Sequence, residues 1–348
     1  MEETIASPTV YLFAGHNQEL NGGGGIAAQL ARAYVRAGYN VLYLSYDSPN
    51  SPVVRNGITE VSVNRCDFGR MKFDMTEHDI LHAVVPCPIA YRVLEDFGGR
   101  AVYHALDNWD VWVAQANYRW TWPWYTPGLE AKFIRDSDIS YAVSPALAGY
   151  LGVHNVLSNA YDPRIFKWVD HKPPVRRAVM WGYSAGYANT NLISDVARLT
   201  PDVEYVLIGR RTTSPPIAHD ITNVLEVGAK TIGQLPAIAQ NSQVGLVFRY
   251  GEVAEYMCPT KSWEYLGSGL RFVSAGYDYP NSGYNPACAV SPTTDPQDVA
   301  DTITNVYELI PELTEEQAIQ HTWDRRIAQV RADIGHNDVS GMLADGKG

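Results

Sequence analysis

The sequence predicts an α/β protein of two doubly wound domains, each a parallel sheet with helices on its faces. Three observations carry that expectation. Short runs rich in β-branched and aromatic residues alternate with helical periodicities along the chain. The alternation breaks near DPRIFKWVDHKPPVRR (162–177), a Pro-rich, charged stretch of the kind that links domains, and then restarts. At 348 residues the chain is too long for one ordinary core and suits two domains of roughly 150 residues each.

VYLFA (10–14) reads as the first strand. Ile26, Ala27, Leu30, Ala31, Tyr34 and Val35 recur at helical spacing, and Gly38 closes that helix. VLYLSY (41–46), DILHAVVP (79–86), RAVYHAL (100–106) and DISYAVS (138–144) read as further parallel strands, followed by a short NVLSNAYD (155–162). Beyond the break, VMWG (179–182) is a strand entering a glycine-containing loop, NLISDVARL (191–199) a helix and EYVLIG (204–209) a strand. VGLVF (244–248), KSWEYLGSG (261–269) and RFVSAG (271–276) give strand, helix, strand. One long helix is expected over VADTITNVYELI (299–310). Another runs through HTWDRRIAQVRADI (321–334), after a Thr314 cap followed by Glu315, Glu316 and Gln317. A ligand cleft is expected between the domains, at the carboxyl ends of both sets of strands.

Composition narrows the function. The net charge of −11 argues against tight nonspecific binding to nucleic acid, which needs phosphate-neutralising Lys and Arg. Cys66, Cys87, Cys258 and Cys288 are far apart with no C-x-x-C pair, as expected for free thiols in a reducing compartment. No apolar run is long enough to span a bilayer, and MEETIASPTVYLF lacks the basic region and cleavage site of a leader. A cytoplasmic protein is expected, at most peripheral at the inner membrane face. The Gly- and Asp-rich tail is expected to be flexible.

NGGGG (21–25) raises a cofactor question. Gly22, Gly24 and Ala27 fit G-x-G-x-x-A, and Asp47 ends the next strand about 20 residues on, as in dinucleotide-binding folds. That fingerprint requires its first glycine directly after strand one, and GHNQELN (15–21) intervenes. The match is therefore read as a coincidence of a glycine-rich run, and Asp47 loses its ribose role. The backbone N–H groups of Gly23 and Gly24, unshielded by side chains, and the side chains of His16 and Asn17, just past strand one, are instead candidates for approaching a ligand in the cleft.

FRYGEVAEYMCPTKSWEYLGSGLRFVSAG (248–276) is the most informative stretch. A strand ends at Arg249, and Pro259–Thr260 leads into a helix after a loop. A helix N-terminus presents free N–H groups and the positive end of its dipole, which suits a diphosphate; Lys261 adds a point charge there. Glu264, one turn later on the same face, is placed to accept hydrogen bonds from ribose or sugar hydroxyls. The plain alternative for Lys261 and Glu264 is a solvated i,i+3 pair. Gly267 and Gly269 are expected to let the helix end close to the next strand.

Here the chain resembles GT-B glycosyltransferases, above all the family 4 group and its relatives. Pro-x-Lys-x-x-Glu-Tyr-Leu-x-x-Gly-Leu before an apolar strand is similar to their donor-site motif. AVSPALAGYL with NVLSNAYDPRIF (142–166), then VMWGYS (179–184) and VLIGRR (206–211), match in order. HTWDRRIAQV (321–330) is similar to the Trp-bearing terminal helix that crosses back to the first domain. The resemblance covers nearly the whole chain. It implies two Rossmann-like domains facing across a cleft: residues 1–165, joined by a helix at about 320–335, and residues 166–319, with a tail at 336–348. It also implies a nucleoside-diphosphate sugar as co-substrate, a UDP-sugar foremost, with no metal or other cofactor. Carried over by residue, Lys261 and Thr260 meet the diphosphate and Glu264 the ribose. Gly182, Tyr183 and Ser184 line the phosphate or base region, Gly209 and Arg210 edge the base pocket, and Arg249 has a phosphate role. In one respect the chain departs from the family: where retaining members carry a second glutamate ahead of the one matching Glu264, this chain has Tyr256, with Glu255 off by one. The stereochemical outcome is left open.

RAVYHAL leads into Asp107, a carboxylate at the carboxyl end of a strand, suited to deprotonating an acceptor hydroxyl. The stretch VYHALDNWDVW resembles the Val-Tyr-x-x-x-Asp segment of inverting, glucuronosyltransferase-like enzymes of exopolysaccharide assembly, which implies a base role for Asp107. Asp110 is its nearest rival, and capping of the following helix its alternative role. Trp109, Trp112, Trp120, Trp122 and Trp124, with Tyr118 and Tyr125, crowd the next stretch. They are read either as stacking faces for sugar rings or a membrane interface, with Trp109 and Trp112 touching the acceptor, or as packing under a long loop. Asp136-Ser-Asp138 has D-x-D spacing without the context of a metal-bound nucleotide and reads as structural. The expected function is metal-independent transfer of a hexose-type unit from a nucleotide sugar to a hydroxyl acceptor. The rivals are a nucleotide-sugar epimerase of the same fold, a phage-type enzyme glycosylating a modified nucleic-acid base, an NAD-dependent oxidoreductase, and a non-catalytic binding module.

Overall fold

The computed structural model describes residues 7–19, 23–64, 75–115, 126–171, 174–182, 190–209, 217, 220–248, 252–276, 285–291, 293–310 and 312–336. The chain forms two compact units, Met1–Ser158 with Trp323–Gly348, and Asn159–Thr322.

The first unit runs β1 (Thr9–Phe13), α1 (Ile26–Arg36), β2 (Asn40–Ser45), β3 (Val53–Arg55), β4 (Ile58–Ser62) and β5 (Ile80–Ala83). It continues with α2 (Pro88–Glu95), β6 (Arg100–Ala105), α3 (Trp109–Gln115), α4 (Leu129–Asp136), β7 (Ile139–Ala142), α5 (Pro145–Leu151) and β8 (Asn155–Val156). Among the described residues its sheet has the order β3-β4-β2-β1-β5-β6-β7-β8, parallel except for β3 against β4. Val10, Leu12, Ile80, Leu81, Val102 and Tyr103 are fully buried, as in a parallel sheet covered on both faces. The β3–β4 hairpin is absent from the elements expected above. Its turn is Asn56-Gly57, both at positive φ (52° and 78°), the tight turn that Asn-Gly favours between β-branched runs.

The second unit runs β9 (Arg177–Trp181), α6 (Thr190–Leu199), β10 (Glu204–Ile208), β11 (Val224–Glu226), α7 (Leu235–Ala239), β12 (Val244–Phe248), α8 (Thr260–Gly267), β13 (Arg271–Ala275) and β14 (Cys288–Val290). The helices α9 (Pro296–Thr304), α10 (Val306–Leu309) and α11 (Glu315–Ile319) complete it. Its sheet has the order β11-β10-β9-β12-β13-β14, all pairs parallel. The single helix expected over 299–310 is therefore two, broken at Asn305 (φ −100°, ψ 13°). Thr302 and Thr304 turn their hydroxyls back onto the carbonyls of Asp298 and Ala300, which weakens and bends a helix just before that residue.

The units divide at Ser158/Asn159, ahead of the 165/166 boundary expected from the sequence, because residues 159–171 are fastened to the second unit. Tyr161 N–H donates to His321 O (3.2 Å), Asn159 Nδ2 donates to Cys258 O, and His171 Nε2 lies 3.0 Å from Ser268 O. A Cβ on Gly267 would stand 2.3 Å from the Tyr161 ring, and one on Gly269 (φ +78°) 2.1 Å from Val169 O. These two glycines thus admit the 159–171 segment.

The last helix, α12 (Trp323–Asp333), belongs to the first unit. Trp323, fully buried, donates its indole N–H to Gln29 Oε1 on α1 (2.9 Å), and Arg36 Nε donates to Asp324 Oδ1 (2.7 Å). Arg326 donates to both the carbonyl and the hydroxyl of Ser158 (3.0 and 2.7 Å), and Tyr141 Oη to Asp333 Oδ2 (2.6 Å). The tail 337–348 and Cys66 lie outside the described residues, while Cys87, Cys258 and Cys288 are buried free thiols. No helix among the described residues is long and apolar enough to cross a membrane.

Strand order reverses beside β1 in the first sheet and beside β9 in the second. The carboxyl ends at such reversals are where open α/β sheets receive ligands. Gly267→Ala is expected to cost about 1–3 kcal/mol in chemical denaturation by forcing Tyr161 off its place. Gly25→Ala, at φ −60° with no atom within 4 Å of the added Cβ, is expected to stay within about 0.5 kcal/mol of the parent protein.

Candidate functional site

At the reversal in the second sheet, β9 ends in Trp181 and the chain turns at Gly182, φ +64°, whose N–H donates to Ile208 O (2.8 Å). The helix α8 begins at Thr260 after Pro259, which offers no side-chain acceptor to the first-turn N–H groups. Lys261 reaches from that turn to Gly182, Nζ to carbonyl O at 3.5 Å, and a Cβ on Gly182 would lie 3.9 Å from the lysine Cε and Nζ. Glu264, one turn on, accepts the Trp181 indole N–H on Oε2 at 2.7 Å. Lys261 is 8% exposed and Glu264 4%, so they are not the solvated pair offered as the alternative. From α8, Lys261 thus reaches Gly182 and Glu264 reaches the preceding Trp181, so a cation and a carboxylate meet the end of β9. Gly209 directly follows the neighbouring β10, with its N–H donated to Gly228 O (3.0 Å). Tyr183, Ser184, Arg210 and Arg249 lie outside the described residues. Tyr256 is half-buried and Glu255 exposed in a short turn of 3₁₀ helix, Glu252–Tyr256, ahead of α8.

In the first unit, the loop after β1 is held by a polar network. His16 Nδ1 lies 3.2 Å from Asp47 Oδ2, Asn17 Nδ2 donates to Asp47 O (3.4 Å), and Tyr43 Oη donates to His16 O (2.8 Å). Behind them the buried Glu60 carboxylate accepts hydrogen bonds from Gln18 N, Gln18 Nε2 and Ser48 Oγ. Asp47 thus anchors the loop. The carbonyls of Gly23 and Gly24 turn toward α1, accepting from Arg32 Nη2 (3.1 Å) and Gln29 Nε2 (3.0 Å). Gly23 is at φ +82°. Neither its conformation nor its packing explains Gly25, whose surroundings are open.

Asp107 is half-buried just beyond β6. The capping role offered as its alternative falls to the next residue: Asn108 Oδ1 accepts Val111 N–H (3.1 Å) at the start of α3. Asp110 is exposed in that first turn. Trp109 is packed inside the unit, 7% exposed. The Trp112 side chain and residues 116–125, with the other three tryptophans of the cluster, lie outside the described residues. Asp138 accepts Ala101 N–H (2.7 Å) and Asp136 accepts Tyr91 Oη–H (2.5 Å), both holding the fold together.

Sequence reasoning missed Glu130, whose position near the start of a polar helix gives no hint of burial. It is 8% exposed, and its Oε1 accepts the Tyr103 hydroxyl at 2.6 Å. Burial pushes its carboxyl up to about 7, with Asp110 and Asp107 adding to the rise and Tyr103 opposing it. Near neutral pH it therefore exchanges a proton, close enough to Asp107 for the two charges to interact.

No family model matches the chain, and no curated protein matches it in sequence. Solved structures do. Sucrose-phosphate synthase from Thermosynechococcus elongatus superposes with a TM-score of 0.65 at 12% identity, covering 93% of this chain and 98% of that one. A glycosyltransferase from Rickettsia africae gives 0.63 at 10%, covering 95% and 100%. Anabaena HepE, solved in complex with UDP and glucose, gives 0.61 at 12%, covering 93% and 99%. Across nearly their full lengths the likeness is one of fold: this chain has the GT-B fold.

A carboxyl whose folded pKa lies above its unfolded value binds more protons in the folded state, so its stabilisation is full below about 4.5 and is lost as pH rises through about 7. The parent protein is expected to lose about 3 kcal/mol through this group over that range. Glu130→Gln keeps an acceptor for Tyr103 and is expected to remove that part of the slope when denaturation midpoints are compared from pH 5 to pH 8.

Proposed function

We propose that this protein is a glycosyltransferase that moves a sugar from a nucleoside-diphosphate sugar, a UDP-sugar foremost, to a hydroxyl acceptor. The observation that carries the reading is that the first turns of α8 meet the end of β9 at the strand reversal, Lys261 at Gly182 and Glu264 at Trp181. That set suits a nucleoside diphosphate: a positive pole for the phosphates and a fixed carboxylate for hydroxyls. The GT-B likeness supports it, as do the UDP and glucose bound by HepE.

In the proposed reaction the acceptor oxygen attacks the anomeric carbon while its proton passes to the Asp107 carboxylate. The bond from that carbon to the diphosphate oxygen breaks, and the nucleoside diphosphate leaves with its charge stabilised by Lys261 and the α8 N–H groups. These groups supply the leaving-group stabilisation with no metal ion required in the scheme. A hydroxyl-bearing carbohydrate is the acceptor class this chemistry fits.

Melting temperature in a panel of UDP, GDP, ADP and dTDP tests the donor, since a ligand raises stability in step with its affinity. At least one is expected to stabilise the parent protein. Lys261→Ala is expected to weaken that ligand by on the order of tenfold or more, the worth of a charge-assisted contact. Unchanged affinity would remove Lys261 from the site. Asp107→Asn is expected to bind the diphosphate normally and to lose at least about a hundredfold in transfer rate. Full transfer by that variant would overturn the base assignment.

A further inference from the structure

Trp181 lies in the VMWGYS segment but has no assigned ligand contact, yet it donates a hydrogen bond to Glu264. It is buried at the end of β9, and its Nε1–H donates to Glu264 Oε2 at 2.7 Å. The ring has little freedom to swing. Phe166 stacks on it with centroids 6.2 Å apart and planes 15° from parallel, and Tyr265 lies 4.3 Å away at 56°. Tyr265 is itself fixed, its hydroxyl donating to Val179 O (3.2 Å) and Leu246 O (3.3 Å). The terminal torsion of a glutamate is broad, so a carboxylate alone does not choose the plane it presents. A rigid donor narrows that choice. An indole has one N–H and no charge, so its hydrogen bond orients a carboxylate without itself neutralising it.

We propose that Trp181 is a positioning residue that fixes the Glu264 carboxylate in the plane that accepts a ribose hydroxyl, and so sets the preference for a ribonucleoside donor. The proposal rests on the donor-site reading of Lys261 and Glu264.

The test uses the full-length chain and calorimetric titration with UDP, its 2′,3′-dideoxy analogue and inorganic pyrophosphate. GDP or ADP with the matching analogue replaces UDP if it binds more tightly. The parent protein is expected to prefer the ribose form by on the order of tenfold, the worth of a hydrogen bond to a charged acceptor. Trp181→Phe keeps a ring between Phe166 and Tyr265 and removes the N–H; its preference is expected to collapse toward unity with pyrophosphate affinity unchanged. Glu264→Gln is expected to lose the preference too. A preference lost in Glu264→Gln but kept in Trp181→Phe overturns the proposal alone, as does equal weakening of all three ligands in Trp181→Phe. A parent protein that binds none of the diphosphates, or binds without ribose preference, overturns the donor-site reading and the proposal with it. If Trp181→Phe does not melt cooperatively, 3-benzothienylalanine placed at 181 keeps the bicyclic ring, removes only the N–H and faces the same outcomes.

Discussion

The arrangement around Gly182 depends on how closely α8 lies against its sheet. A Cβ on Gly245 of β12 would stand 2.5 Å from the Tyr265 ring, so that position admits no side chain. The pairing of β9 with β12 covers only Val244 with Ala178 and Gly245 with Val179, after which the two strands part. Parting strands leave carbonyls without ladder partners, and a buried carbonyl without a partner is costly. The Tyr265 hydroxyl lies at the carbonyls of Val179 and Leu246, one on each strand. One glycine, one tyrosine and the splay between two strands therefore set how deep the helix lies against the sheet. Gly267 and Gly269 hold the other side of that helix against Tyr161 and Val169.

In the first unit the comparable anchoring comes from far along the chain. The helix after the glycine run is pinned from behind by α12, through Trp323 to Gln29 and Asp324 to Arg36. The loop before the run is pinned from below by Asp47 and Glu60. Gln29 serves twice, accepting from Trp323 and donating to Gly24 O, so the terminal helix and the glycine run share one side chain. Gly23 and Gly24, held to α1 by their carbonyls, present backbone free of side-chain bulk, which suits a surface that a ligand approaches closely.

What could be read from the sequence was whatever is carried by local pattern. Buried parallel strands announce themselves as β-branched and aromatic runs, and Lys261 and Glu264 announce themselves by spacing on one helix face. The Asn56-Gly57 hairpin was equally local and was overlooked. Other features depend on contacts between distant residues. The partner of Glu264 lies 83 positions earlier in the chain, and nothing around Trp181 or Glu264 signals that they meet. Glu130 sits in a stretch of polar helix and is buried only because Tyr103 and its neighbours close over it. The division between the units was misplaced for the same reason: the Pro-rich composition of 162–177 reads as a linker, but Tyr161, Phe166, Val169 and His171 are tied into the second unit.

Burial also separates a functional reading of Lys261 and Glu264 from a structural one. Taking charged side chains out of water is expensive, and apolar residues of similar size usually serve stability as well or better. Charged groups kept at such a place are better explained by something they meet than by the fold they sit in. The two glycine features of the chain differ in their surroundings as well. The run at 22–25 has the composition of a phosphate-binding fingerprint, but a loop separates it from the end of β1 at Phe13. Gly182 has none of that composition, yet it follows the last residue of β9 directly, turns at positive φ and lies within reach of a buried lysine at a helix start. A phosphate needs backbone close to a strand end and a positive pole facing it. By that physical criterion, Gly182 in the second unit meets more of what a phosphate requires than the run at 22–25 does.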